Sequence, residues 1–98
     1  MIPKSFQILG HTVKIEHKDF VDYGVNEGCC EHLKLRIEIA KKDLKGNVPE
    51  SVQEHTYLHE ITHMILDSMG EDELSSNEKF VDTFSGLLHQ VLKTAKYK

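Results

Sequence analysis

The chain has 98 residues, a length that fits a single domain with one modest hydrophobic core. Its composition, 39% hydrophobic and 29% charged, is that of an ordinary globular protein. The net charge of -4 argues against a nucleic-acid-binding surface, in which basic residues dominate. Seven histidines are an unusually high number for this length, and they point to metal or proton chemistry.

The cysteines and the apolar runs bear on the cellular compartment. Cys29 and Cys30 are adjacent, and neighbouring side chains of a strand point to opposite faces, so we expect free thiols. The first residues, MIPKSF, contain no apolar run of signal-peptide length, and no stretch approaches the roughly 18 apolar residues of a membrane span. These features predict a cytoplasmic protein without membrane contact.

The front of the chain predicts strands. Residues 6–16 fit two short strands around a turn at Gly10-His11, with apolar Val13 and Ile15 alternating with charged neighbours in the second strand. The segment after them is punctuated by glycines, which favours a loop or a short helix around Phe20–Tyr23.

The clearest strand spans Leu33–Ile39, where four apolar residues alternate with three charged ones. Cys29–Cys30 fit a strand paired with it through a turn near Glu31–His32. Lys41–Asn47 is then a polar connection that ends at a Gly-Asn breaker.

Two helices are predicted in the second half. Pro49 suits the first turn of a helix, and Gly70 suits the position after its end, so the first helix should reach about Met69. Helical spacing predicts a core stripe on it formed by Leu58, Ile61, Ile65 and Met69.

The second helix should begin with a capping box, because Ser75 is followed by Glu78 three residues later. Its apolar face is expected to contain Phe80, Phe84, Leu87, Leu88 and Val91. Strands followed by helices indicate an α+β domain over residues 1–98, with a mostly antiparallel sheet of three to four strands and two long helices.

The sequence HEITH (59–63) lies inside the first predicted helix. Residues four apart share a helical face, so the rings of His59 and His63 can bind one tetrahedral zinc ion. Glu60 is rotated about 100° from His59, out of the same ligand shell, but its side chain can reach a water beside the metal. The alternative is a pair of solvated histidines on a helix surface.

Catalytic zinc usually takes three protein ligands and leaves the fourth position to water, so one ligand is still required. Glu78 is the best candidate, because a short loop should fold its helix back against the first; its alternative role is in the capping box. Asp82 lies one turn further on, where it either accepts the second ring N–H of a ligand histidine or is an ordinary solvated acid.

The sequences HEITH (59–63) and NEKFVD (77–82) together resemble the active-site helices of the gluzincins. In that family the histidine pair and a glutamate of a second helix bind zinc. The glutamate between the histidines is the general base, and the aspartate of an Asn-Glu-x-x-x-Asp segment orients a ligand histidine. The resemblance therefore implies a minimal zincin-like fold with zinc ligands His59, His63 and Glu78, base Glu60 and orienting residue Asp82.

The front half and the run LHEITHMILD (58–67) also resemble small phage and prophage-encoded proteins described as metallopeptidases, with the motifs covering roughly residues 55–82. The chain departs from the gluzincins in its shorter inter-helix loop and in lacking their C-terminal domain, which supplies a histidine and a tyrosine to the oxyanion. His55 and His89 lie on plausible faces but more readily fit surface or supporting roles. His89 is the rival third ligand if the site is of the three-histidine SprT-like type.

Two functions remain open. The first is a zinc-dependent peptidase in which Glu60 activates a water and a peptide or protein substrate lies as an added strand, with Leu33–Ile39 the best candidate for the sheet edge. The second is a catalytically silent, zinc-binding phage accessory or interaction protein, in which the metal stabilises a small fold. Zinc suits two imidazoles and a carboxylate, although Mn²⁺, Co²⁺ or Ni²⁺ can occupy the same ligands.

Overall fold

The computed structural model describes residues 2–20, 28–31 and 36–97. Within these ranges the strands are β1 (Ser5–Ile8), β2 (His11–Lys18), β3 (Gly28–Glu31), β4 (Arg36–Ala40), β5 (Lys42–Asp43) and β6 (Gly46–Asn47). The helices are α1 (Glu50–Met69), α2 (Asp72–Ser75) and α3 (Glu78–Thr94). Strands therefore precede helices, which confirms the predicted α+β class, and the short α2 is an addition to the two expected long helices.

Four strands form the main sheet in the order β1-β2-β4-β3. The outer pairs, β1 with β2 and β3 with β4, are antiparallel, whereas β2 and β4 run parallel. Cys29 pairs with Glu38 and Cys30 with Ile37, so the predicted pairing of the cysteine segment with the following strand is confirmed. The sheet is mostly antiparallel, as expected.

The prediction that Leu33–Ile39 forms a sheet edge is wrong for its described part. β4 lies between β2 and β3 and is hydrogen-bonded on both sides, which leaves β1 and β3 as the edges among the described strands. Residues 33–35 lie outside the described residues, as do most of the segment expected around Phe20–Tyr23, the turn at His32 and the thiol groups of Cys29–Cys30.

Two turns are set by residues with positive φ. The first hairpin turns at Leu9 (φ 49°) and Gly10 (φ 79°), one residue earlier than predicted, and two such residues form the tight turn that matches strand twist. Gly70 (φ 78°) ends α1, where its N–H bonds to the Asp67 carbonyl. At the other end, Pro49 is the N-cap residue, one position before the first helical residue Glu50 and not within the first turn as predicted.

The core lies between the sheet and α1. Val13, Ile15, Ile37 and Ile39 of the sheet pack with Tyr57, Leu58 and Met64 of α1. Two members of the predicted α1 stripe are exposed instead, Ile65 at 44% and Met69 at 66%. Ile65 lies between the buried Met64 and Leu66, so its side chain points away from the core, and Met69 is the last residue of α1, beyond the buried Leu66.

The rotation of α3 also differs from the prediction. Its buried side chains are Val81 and Ser85, and of the predicted apolar face Leu88 alone is packed against the core. The face that α3 turns towards α1 carries the polar residues of the candidate site. Among the described residues, none of the helices combines the length and the apolar composition that crossing a lipid bilayer requires.

Candidate metal centre

The two histidines of the HEITH sequence project from the side of α1 that meets α3. Their ring centroids are 5.0 Å apart and the ring planes are inclined by 63°. The side chains of His59 and His63 are 22% and 19% exposed, so both rings are largely enclosed but remain in contact with solvent. This is the placement that the four-residue spacing on a helix predicts.

Glu78, the first residue of α3, places its carboxylate between the two rings. Its Oε2 lies 3.3 Å from His59 Nε2, and its Oε1 lies 3.2 Å from His63 Nε2. The capping box that was predicted to compete for this carboxylate is absent from the described residues: the N-cap is Asn77, whose Oδ1 accepts a hydrogen bond from Phe80 N at 3.1 Å. Glu78 is therefore available to the histidines.

The donor atoms fit a metal ion. Zinc binds nitrogen at about 2.0–2.1 Å and carboxylate oxygen at about 2.0–2.2 Å, so two ligand atoms of a tetrahedral site are about 3.4 Å apart, close to the separations seen here. One ligand atom from each of His59, His63 and Glu78 lies within 4.8 Å of the other two. This group could hold a metal ion, and its nitrogen and oxygen donors suit zinc without excluding Co²⁺, Ni²⁺ or Mn²⁺.

Each histidine has an oxygen partner on its other ring nitrogen. Asp82 Oδ1 lies 3.4 Å from His59 Nδ1, in the position predicted for it. Ser75 Oγ lies 3.1 Å from His63 Nδ1. Partners of this kind fix the tautomer and the ring orientation, and both here leave Nε2 free to face Glu78.

Ser75 is the member of the site that sequence reasoning missed. It was assigned to a helix cap, whereas it lies at the end of α2 and its side chain is buried against His63. A four-residue helix carries too little periodicity to mark which of its side chains points inward. The sequence contains one indirect indication of its role: Ser75 lies three residues before Glu78, in the short connection between the two long helices.

We expect Ser75→Ala to weaken metal binding by about 10–100-fold, the usual effect of removing such a partner. The hydroxyl no longer orients the His63 ring, although the ligand atoms remain. Competition with a chromophoric chelator measures the affinity. The matched control is Ser76→Ala, because Ser76 is exposed and adjacent; equal affinities for the two variants would contradict the orienting role of Ser75.

Glu60 faces a cavity next to His59. The cavity has a volume of about 180 Å³ and is lined by His55, Thr56, His59, Glu60 and Asp82. Burial raises the pKa of Glu60; the neighbouring His59 and His63 act in the opposite direction, and Glu78 adds to the increase. A carboxylate with a raised pKa beside a candidate metal site is suited to accept and return a proton.

The two remaining histidines of this interface, His55 and His89, lie beside the group that could hold a metal ion and are not part of it. His55 Nε2 lies 3.3 Å from Ser85 Oγ and 3.7 Å from Asp82 Oδ1, and its ring stacks on that of His89. His89 Nε2 is 3.1 Å from Oε1 of the buried Glu54. The structure thus pairs His89 with Glu54, while Glu78 is the third residue beside His59 and His63.

Comparisons with protein-family models, with curated proteins and with solved structures give no match for this chain. Its function is therefore inferred from the residues themselves.

Proposed function

We propose that this protein is a zinc-dependent peptidase with a minimal zincin-like fold. The observation that carries the proposal is the position of Glu78, whose two oxygens lie 3.2 and 3.3 Å from the Nε2 atoms of His63 and His59. The general base that a peptidase needs is available in Glu60, which lines the cavity beside His59. The resemblance of both helices to those of the gluzincins supports the same assignment.

Each residue has a defined role in this proposal. His59, His63 and Glu78 hold the metal, and Asp82 and Ser75 keep the two imidazoles oriented through Nδ1. A bound zinc ion supplies a Lewis acid, which polarises the scissile carbonyl and lowers the pKa of water. The Glu60 carboxylate accepts a proton from the attacking water and donates it to the leaving amine nitrogen.

The substrate is proposed to bind at the outer edge of β3, which is a sheet edge among the described strands, rather than at β4. β3 is the outer strand on the side of the sheet that α1 contacts, so a peptide added to it lies alongside the helix that carries HEITH. Backbone hydrogen bonds to an edge strand hold a peptide extended with little dependence on its sequence. An unstructured peptide or protein segment is therefore the expected substrate class.

One observation favours a second candidate, a catalytically silent metal-binding protein. The buried side chains of α3 are Val81 and Ser85, and Leu88 is partly buried against the core, so few apolar side chains hold α3 against α1. A metal ion bound by both helices would stabilise this interface whether or not a reaction occurs there.

Peptide cleavage distinguishes the two candidates. We expect the zinc-loaded protein to hydrolyse peptides from an unstructured library, and we expect a chelator to reduce the rate to that of the uncatalysed reaction until zinc is restored. Mass spectrometry of the products measures cleavage, and metal analysis measures occupancy. One zinc per chain without cleavage across the library would overturn the peptidase proposal in favour of the silent protein.

A further inference from the structure

A stripe of large apolar side chains runs along the outer surface of α3. Phe80, Phe84, Leu87 and Val91, which we call the α3 stripe, are 36%, 48%, 59% and 59% exposed. Successive members are four, three and four residues apart, so all four lie on one narrow face of the helix. The rings of Phe80 and Phe84 stack with centroids 5.9 Å apart.

The stripe is exposed because the opposite side of α3 is used by the candidate metal centre. Glu78 and Asp82 point towards α1, and the stripe consequently faces away from it. Beside the stripe is an open groove of about 380 Å³, lined by Asn77, Lys79, Phe80, Thr83, Phe84 and Leu87. A contiguous apolar surface with a groove is typical of a surface that binds another protein.

We propose that the α3 stripe binds the same stripe of a second copy of this chain, with the two helices antiparallel. The four-three-four spacing is symmetric about the midpoint between residues 85 and 86. A twofold axis at that point places Phe84 against Leu87 of the second copy, and Phe80 against its Val91. The surface is therefore complementary to itself, which an isologous dimer interface requires.

The charges at the two ends of α3 favour the antiparallel arrangement. The acidic residues Glu71, Asp72 and Glu73 precede the helix and outnumber the one lysine of its first turn, Lys79, and Lys96 follows its last residues. Antiparallel pairing brings the acidic segment of one copy to the lysine of the other, whereas parallel pairing brings like charges together. Antiparallel helix dipoles also attract each other.

The expected dimer is of modest stability. A helix of 17 residues is about 25 Å long, so the pair buries an area near the lower limit of specific interfaces, on the order of 1,000 Å². We expect a dissociation constant in the micromolar range. Both metal centres remain accessible in this dimer, because Glu78 and Asp82 lie on the far side of α3.

Sedimentation equilibrium from about 1 to 200 µM, a range that brackets a micromolar constant, tests the proposal on the full chain. We expect a monomer–dimer equilibrium in the wild type, and at least about 100-fold weaker association in Leu87→Asp, since both copies then bury a charge. Because Leu87 is exposed, the variant should fold. Circular dichroism measures whether its helix content equals that of the wild type. The matched control is Leu44→Asp, at a side chain 80% exposed on the β5–β6 hairpin, which should dimerise like the wild type.

A wild type that stays monomeric throughout, or a dimer that survives Leu87→Asp, would overturn the proposal.

The antiparallel orientation of the two helices is tested by exchanging two charges. Each substitution removes two ion pairs, one at each end of the twofold dimer, so Glu73→Lys and Lys96→Glu should each weaken association by about 4–25-fold, the square of the roughly 2–5-fold effect of one exposed ion pair. The double variant should regain wild-type association. Single variants without effect, or a double variant weaker than both, would overturn the antiparallel arrangement.

Discussion

Glu60→Gln should lower kcat for peptide hydrolysis by about 10²–10⁴-fold while one zinc ion per chain remains bound. The amide has nearly the shape of the carboxylate but cannot accept the proton of the attacking water. The residues that could hold a metal ion, His59, His63 and Glu78, are left in place by the substitution. Steady-state cleavage of a peptide found with the wild type, together with metal analysis of the same sample, measures both quantities.

The matched control is Glu73→Gln, which removes the same charge from α2, outside the cavity that Glu60 lines. It should cleave peptides at the wild-type rate. A Glu60→Gln variant with full zinc and full activity would contradict the role of Glu60 as the base. A Glu60→Gln variant without zinc would show that the carboxylate supports the ligands instead.

The free energy of unfolding of the metal-free variant tests whether lost activity comes from unfolding. Burial raises the pKa of Glu60 above its usual 4.5, so the folded metal-free protein holds this proton more tightly than the unfolded chain. The resulting stabilisation is present below pH 4.5 and is lost as the pH rises through the folded-state pKa. The neutral glutamine avoids that loss. We therefore expect the free energy of unfolding of metal-free Glu60→Gln to equal or exceed that of the wild type at neutral pH.

His63→Ala should weaken zinc binding by at least about 100-fold, because it removes one of the three proposed protein ligands and leaves Glu78 close to a single imidazole. Zinc at 100 times the wild-type dissociation constant should stabilise the wild type by about 2.7 kcal/mol. The same concentration should leave the unfolding temperature of the variant nearly unchanged. Metal content after dialysis and thermal unfolding with and without zinc measure the two effects.

The control for this variant is His11→Ala, at an exposed histidine of β2 far along the chain from the site. It should bind zinc and gain thermal stability as the wild type does. If His63→Ala retained full zinc, the assignment of this centre would fail. Metal affinity should also fall with decreasing pH in the wild type, since imidazole and carboxylate bind metals in their deprotonated forms.

Local periodicity predicted the part of the site that one helix determines. The four-residue spacing of His59 and His63 places both rings on one face wherever the helix is packed. Glu78 and Asp82 are also four residues apart and share one face of α3, so the packing that brings one of them to the histidines also brings the other. The sheet pairing of Cys29–Cys30 likewise followed from alternation and a short turn.

Tertiary contacts decided what periodicity could not. An amphipathic pattern identifies the apolar face of a helix but not whether that face meets the core, and in α3 the polar contacts of Glu78 and Asp82 turn it to solvent. Strand order is equally invisible in a single sequence, because β4 has the same alternation at an edge or in the middle of a sheet. Ser75 was missed since its partner, His63, lies 12 residues away.

The short link between α1 and α3, which begins at Gly70 and contains α2, has a consequence for how the centre assembles. His59, Ser75 and Asp82 span 24 consecutive residues, so the histidines and their partners come from one helical hairpin. The entropy lost in closing such a small loop is modest and grows only slowly with its length. This hairpin can therefore bring together the residues that could hold a metal ion early in folding, before strands that are far apart in the sequence have paired.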